Sequence, residues 1–300
     1  MFDFLKGGKA IVTVTLDRPM LPYFTGETVQ ARVTIQGQKD LKIQEARVQL
    51  VCREEYQYKY ESRHTDSDGR THTSDETKWT TDEIVVQQQQ LMKEGTIPAS
   101  FNQTFEFVAP IPAGSPPTCD GGKIVRVKWM VRATLDRKLA GDTETTADLL
   151  VFSAPPGQAA GAGEYGFSND PGDAEMSLFL PGKEFAAGDT IQGQLLVRPQ
   201  KAFDASEVRV ELSRLENVPR DRGNQYREAK AIKVAGKTRL EPGQTLTLPF
   251  SVPIPASAPV TGQTRNSSVS WQVSGILARS LRADTHVDEP MHIYSGRPKE

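Results

Sequence analysis

The stretch HTDSDGRTHTSDET (64–77) gathers His64, Asp66, Asp68, His72 and Asp75, the side chains best suited to hold an ion. An EF-hand-type calcium loop needs glycine at its sixth position and a distal glutamate, and Asp66-Ser67-Asp68-Gly69 brings the glycine too early. Zinc takes histidines with carboxylates, but a polar loop between His64 and His72 fixes no geometry. The stretch reads as a solvated acidic loop, with no metal or other cofactor. Glu54 and Glu55 are a carboxylate pair of the kind glycosidases use, yet successive strand residues face opposite ways, so they cannot act on one bond. Cys52 and Cys119 lack a convincing histidine partner and metal-type spacing. There is no G-x-S-x-G, H-E-x-x-H or phosphate-cradling glycine loop. Gly121-Gly122 reads as a hairpin loop. These residues point to a protein that binds, with no catalytic residues.

Two groups have the chemistry of binding. Arg126, Lys128 and Arg132 alternate with Val125, Val127, Trp129 and Val131, so if the apolar set faces a core the cations share the outer face. Such a row suits an acidic or phosphorylated segment; it equally suits cross-strand acids that neutralise it. Tyr56, Tyr58 and Tyr60 share parity with Val48 and Leu50 and extend that row outward. The return strand is predicted near Trp79 and through Ile84, Val85 and Val86, with 64–77 as the hairpin tip. The aromatics, Trp79 included, could anchor a partner or staple the two arms together.

The elements that position these residues are strands. In Val29, Ala31, Val33 and Ile35 the apolar residues alternate with Gln30, Arg32 and Thr34, the period of a half-buried strand. Glycine and proline make up about a seventh of the 300 residues, which favours turns over long helices. The predicted fold is all-β, built from antiparallel sandwiches. A formal net charge of −2 gives the whole molecule no electrostatic reason to seek nucleic acid or anionic lipid. No apolar run is long enough to span a membrane, no leader is evident, and two cysteines suit a reducing compartment, so the expected location is cytoplasmic.

The chain also repeats itself. YFTGETVQARVTI (23–35) returns as FAAGDTIQGQLLV (185–197), and ARVQL (46–50) returns as VRVEL (208–212). PIPAGSPPT (110–118) returns as PIPASAPVT (253–261), and VKWMVRATLDRKLAGDT (127–143) as VSWQVSGILARSLRADT (269–285). Four matches in one order predict a duplicated sandwich. The expected organisation is residues 1–153 with an extended hairpin at about 54–92, a flexible Gly/Ala/Pro linker at 154–173, and a second sandwich at 174–300. Phe2, Phe4 and Leu5 either fold onto the first sandwich or form a small anchor for a partner or a membrane surface, making any membrane association at most peripheral. The tail SGRPKE reads as a frayed end.

The tandem pattern, with its [YF]F-x-G-[DE]-x-[VI] turns, P-x-P segments and W-x-V strands, resembles the arrestin-like family. PYFTGETVQARVTI and EFAAGDTIQGQLLV are similar to bacterial sporulation-control proteins of the SpoOM type, and more distantly to arrestins, α-arrestins and the arrestin-fold retromer subunit. The resemblance implies a non-catalytic cytosolic scaffold or sporulation- or stress-type regulator that binds protein partners through sheet edges and outer faces. The chain departs from relatives in two ways. The first strand, AIVTVTL (10–16), lacks the lysine pair of phosphate-sensing arrestins. Neither Pro116-Pro117 nor Pro155-Pro156 continues into the P-P-x-Y of ligase-recruiting α-arrestins. The alternative is a carbohydrate-binding or hydrolytic sandwich with a pocket of convergent polar groups.

Overall fold

A computed structural model describes residues 10–296 except 139–140, 156, 158–159 and 281. Phe2, Phe4, Leu5 and the last four residues of the predicted tail lie outside the described residues. Among the described residues there is no helix. Seven long strands recur in each copy. The first set is β1 (Ala10–Leu16), β2 (Thr28–Gly37), β3 (Glu45–Thr65), β4 (Thr71–Met92), β5 (Asn102–Pro110), β6 (Val125–Asp136) and β7 (Thr143–Leu149). The second is β8 (Ala174–Leu180), β9 (Thr190–Pro199), β10 (Glu207–Val218), β11 (Asn224–Ala235), β12 (Leu246–Pro253), β13 (Ser268–Ala278) and β14 (Thr285–Tyr294).

Sheet order repeats as well. The first set forms β1-β2-β5 and β7-β6-β3-β4; the second forms β8-β9-β12, extended by one short strand, and β14-β13-β10-β11, extended by two. The chain is two tandem all-β sandwiches. In β2 the alternation predicted from sequence holds, with Val29, Ala31, Val33 and Ile35 buried and Gln30 and Arg32 exposed. They pack in a core with Val48, Leu50, Phe107, Val127, Trp129 and Val131 as buried members of the same unit. Each such side chain contributes roughly 1.5–3 kcal/mol relative to an exposed one. The second core has Ile191, Leu195, Val208, Val210, Leu212, Trp271 and Val273.

The duplication reaches individual hydrogen bonds. Trp129 Nε1 donates to Pro116 O at 3.0 Å, and Trp271 Nε1 donates to Pro259 O at 2.8 Å. The Ile111 amide donates to Glu27 O, and the Ile254 amide donates to Asp189 O, both at 2.8 Å. Gly26 and Gly188 both turn with φ near +93°, a conformation in which a Cβ is strained. In those turns Glu27 accepts the Phe24 amide and Asp189 accepts that of Ala186. The repeated phrase therefore encodes a turn and the core strand that follows it.

By contact density the chain divides into two units. One comprises residues 1–55, 80–120 and 126–153; the other comprises 56–79, 121–125 and 154–300. Strands β3 and β4 contribute to both, their distal parts clustering with the C-terminal sandwich. Part of the segment expected as linker is ordered strand. Gly163–Tyr165 pairs antiparallel with Leu178–Leu180. Its Glu164 carboxylate accepts from Ser177 Oγ at 2.8 Å and pairs with Arg198, while Lys183 Nζ lies 5.1 Å from the Tyr165 ring centroid. Two good anchors in a Gly/Ala-rich stretch suffice to add an edge strand.

Candidate partner-binding surface

The hairpin is longer in its strands and tighter at its tip than its composition suggests. β3 runs to Thr65 and β4 begins at Thr71, leaving a turn of five residues where a fourteen-residue polar tip was expected. Asp66 closes this turn, its Oδ1 accepting the amides of Asp68 and Arg70 at 3.1 and 2.9 Å. Those bonds hold its carboxyl below the usual carboxylate range. His72 Nε2 lies 3.2 Å from Asp66 Oδ2, and His64 Nε2 lies 2.6 Å from Glu76 Oε1. The side chains of ion-ligand type in this stretch are thus split between turn closure and cross-strand pairs. Among the described residues, no three His, Cys, Asp or Glu are grouped to hold a metal ion.

The tyrosines line up as their parity requires, with ring centroids 6.4 Å apart for Tyr56 and Tyr58 and 5.9 Å for Tyr58 and Tyr60. They do not form an outward ribbon. Tyr56 is fully buried, and Arg220 Nη1 donates to its hydroxyl at 2.9 Å. The same guanidinium sits 4.4 Å from the Tyr58 centroid, a cation–π contact. Asn224 Nδ2 donates to Gln57 O at 2.8 Å, the backbones of Asp221 and Lys59 meet in an isolated parallel β-bridge, and Arg222 pairs with Glu61. All of these residues belong to one unit. Tyr60 donates to Glu76 Oε2 at 2.9 Å, so it staples the arms, and that bond raises its hydroxyl pKa. Trp79, at 38 % exposure, remains accessible on β4.

The basic row occupies the outer face of β6. Val125, Val127, Trp129 and Val131 are buried and Arg126 is exposed. Lys128 and Arg132 meet cross-strand acids. Lys128 Nζ lies 3.4 Å from Glu55 Oε1. Arg132 Nη1 lies 2.8 Å from Glu83 Oε2 and also contacts Gln49 and Glu144. Arg53 holds the other Glu83 oxygen at 2.7 Å. Burial pushes the Glu83 carboxyl up, but hydrogen bonds from Arg53 and Arg132 outweigh it and hold the group below its ordinary value. Arg132 is therefore the centre of a built network. Lys128, 41 % exposed, makes a surface pair of the kind worth at most about 1 kcal/mol.

A buried polar cluster had no counterpart in the sequence-based expectations. The Glu216 side chain on β10 is fully buried and its carboxylate accepts from the amides of Lys123, Ile124 and Val125 at 2.8 to 3.2 Å. Arg214 Nη2 lies 3.1 Å from Glu216 Oε1 and 2.9 Å from Glu228 Oε2. The signal available was Arg214 and Glu216 at the parity of Val210 and Leu212, charges standing in a core-facing row. The amide partners of Glu216 lie 91 to 93 residues away, beyond what periodicity can reveal.

Both cysteines are buried and unbridged, and burial pushes the Cys52 thiol up to about 12, which leaves it protonated at neutral pH. The first unit has a cleft of about 390 Å³ whose lining includes Arg18, Met20, Leu21, Lys128, Asp148 and Leu150, with mixed charge. Among the described residues, no helix is long and apolar enough to cross a membrane.

Residues 12–154 match the family model described as "Arrestin (or S-antigen), N-terminal domain", and residues 171–292 match the model described as "SpoOM protein". No curated protein matches the chain.

Proposed function

Because this chain belongs to the arrestin-like proteins of the SpoOM type, we propose that it is a non-catalytic regulatory scaffold working in the cytoplasm. It binds acidic or phosphorylated segments of protein partners through the outer face and edge of the first sandwich. One observation carries this reading. Two copies with the same strand order and the same buried tryptophan differ on one outer face, where β6 has Arg126 and Lys128 and β13 has Ser268 and Ser270. Folding requires what the copies share, so a feature confined to one of them is free to serve binding.

Arg126 is exposed, and Lys128 is held by a surface pair that an incoming carboxylate or phosphate can displace. Arg132 supports the face from within its own network. Ile84, Val85 and the open edge of β4 add apolar area and main-chain hydrogen bonds for an extended segment. The family resemblance supports a sporulation- or stress-type regulatory role for such binding. The test is the double substitution Arg126→Ser with Lys128→Ser, which copies the second sandwich. Partner recovery by affinity capture from the native cell should fall several-fold while thermal stability stays within about 0.5 kcal/mol of the parent, as for surface changes. Unchanged recovery overturns the proposal.

A further inference from the structure

Strand β4 stands at the end of its sheet, with β3 as its strand neighbour and no other among the described residues. Its segment Ile84–Met92 reads IVVQQQQLM, nine residues with no charge, proline or glycine. Natural edges are blunted with lysine, proline or bulges because a free row of amides and carbonyls templates pairing. The equivalent end strand of the second copy follows that rule. β11 carries Arg227, Glu228, Lys230 and Lys233, and its pairing with β10 is interrupted by a bulge at Val208 and Arg209. The long uncharged run belongs to the end strand of the first copy alone.

The segment is also complementary to itself. Antiparallel pairing about Gln88 sets Val85 opposite Leu91 of the second copy, Ile84 opposite Met92, Gln87 opposite Gln89, and Glu83 opposite Lys93. Shifting the centre between Gln88 and Gln89 would oppose Glu83 to Glu94 and Ile84 to Lys93, which cross-strand energetics disfavour. Ile84 and Val85 are exposed at 40 % and 44 %, so their burial remains to be gained.

We propose that a second copy of this chain occupies this edge, two β4 strands pairing antiparallel about Gln88 to join two four-stranded sheets into one of eight. The inference uses an edge included in the proposed partner surface, but it is tested on the purified chain alone, so its failure would leave partner capture untouched. Residues facing each other across such a dyad have Cα atoms about 4.5–5.5 Å apart, within disulfide reach. In the full chain, Gln88→Cys should therefore form a disulfide-linked dimer under mild oxidation. Gln90→Cys, which faces Val86 rather than its own counterpart, should form at least tenfold less. Sedimentation of the parent should show a dimer whose fraction rises with concentration, and Val85→Lys and Lys93→Glu should each reduce it. A monomer at all concentrations, or equal cross-linking at 88 and 90, overturns the proposal. A monomer that cross-links through this edge to other cellular proteins assigns the edge to another occupant and overturns it equally.

Discussion

Glu216→Ala is expected to destabilise the unit that contains it by about 3–5 kcal/mol, the loss typical of breaking a buried ion pair from one side. The carboxylate is fully buried and accepts from three consecutive amides and from Arg214. Alanine leaves those amides without their acceptor and Arg214 with a charge but no buried counterion. Among the described residues, the Arg214 Nε already has no hydrogen-bond partner. Glu216→Gln keeps the shape and one acceptor oxygen, so it should cost less, about 1.5–3 kcal/mol for the charge-assisted bonds lost. Glu228, the exposed partner of Arg214, is the control, and Glu228→Ala should cost no more than about 1 kcal/mol. Urea unfolding followed by fluorescence measures all three. A Glu216→Ala loss as small as that of Glu228→Ala would contradict the account of the cluster.

The second large effect is expected at Trp129. Its ring is 1 % exposed and its indole N–H donates to Pro116 O. Trp129→Ala should cost about 3–5 kcal/mol, combining lost transfer energy with a cavity the surrounding strands cannot fill. Trp129→Phe retains most of the apolar volume and forfeits the hydrogen bond, leaving the Pro116 carbonyl without its donor. About 1–3 kcal/mol is expected. Trp271 has the same partner geometry with Pro259, so Trp271→Phe should lose a similar amount. The denaturation midpoints compare the two copies directly. Unequal losses would mean that the repeated bond is not energetically repeated.

Much of the fold was legible because its determinants are local. Period-2 alternation in Val29 to Ile35 depends on neighbours two residues apart, and the turns at Gly26 and Gly188 depend on a glycine followed by an acid that accepts an amide three residues back. The tandem order followed because four such local patterns recur. What escaped was long-range and polar. Tyr56 was placed on an outward row because its own strand contains nothing that would bury it; its partner, Arg220, lies 164 residues away. Glu216 escaped for the same reason. The hairpin tip was drawn too long because its threonines and histidines look like loop, whereas alternate strand positions accommodate them once Asp66 closes the turn. The strand at Gly163–Tyr165 was hidden by the glycine and alanine around it, since two anchored side chains outweigh that composition. For the basic row the sequence left two outcomes, and cross-strand acids meet Lys128 and Arg132.

The central claim is that the two sandwiches share a fold and differ in function, with binding concentrated where the first copy departs from the second. Site-specific photo-cross-linking in the native cell tests this most directly. The cross-linker would be placed at Trp79, Val85 and Arg126 on β4 and β6, and at Ser270 and Lys230 on the corresponding strands of the second copy. The account predicts discrete protein adducts from the first three positions and little from the other two. Equal yields of the same adducts from Ser270 and Lys230, or none from Trp79, Val85 and Arg126, would contradict it.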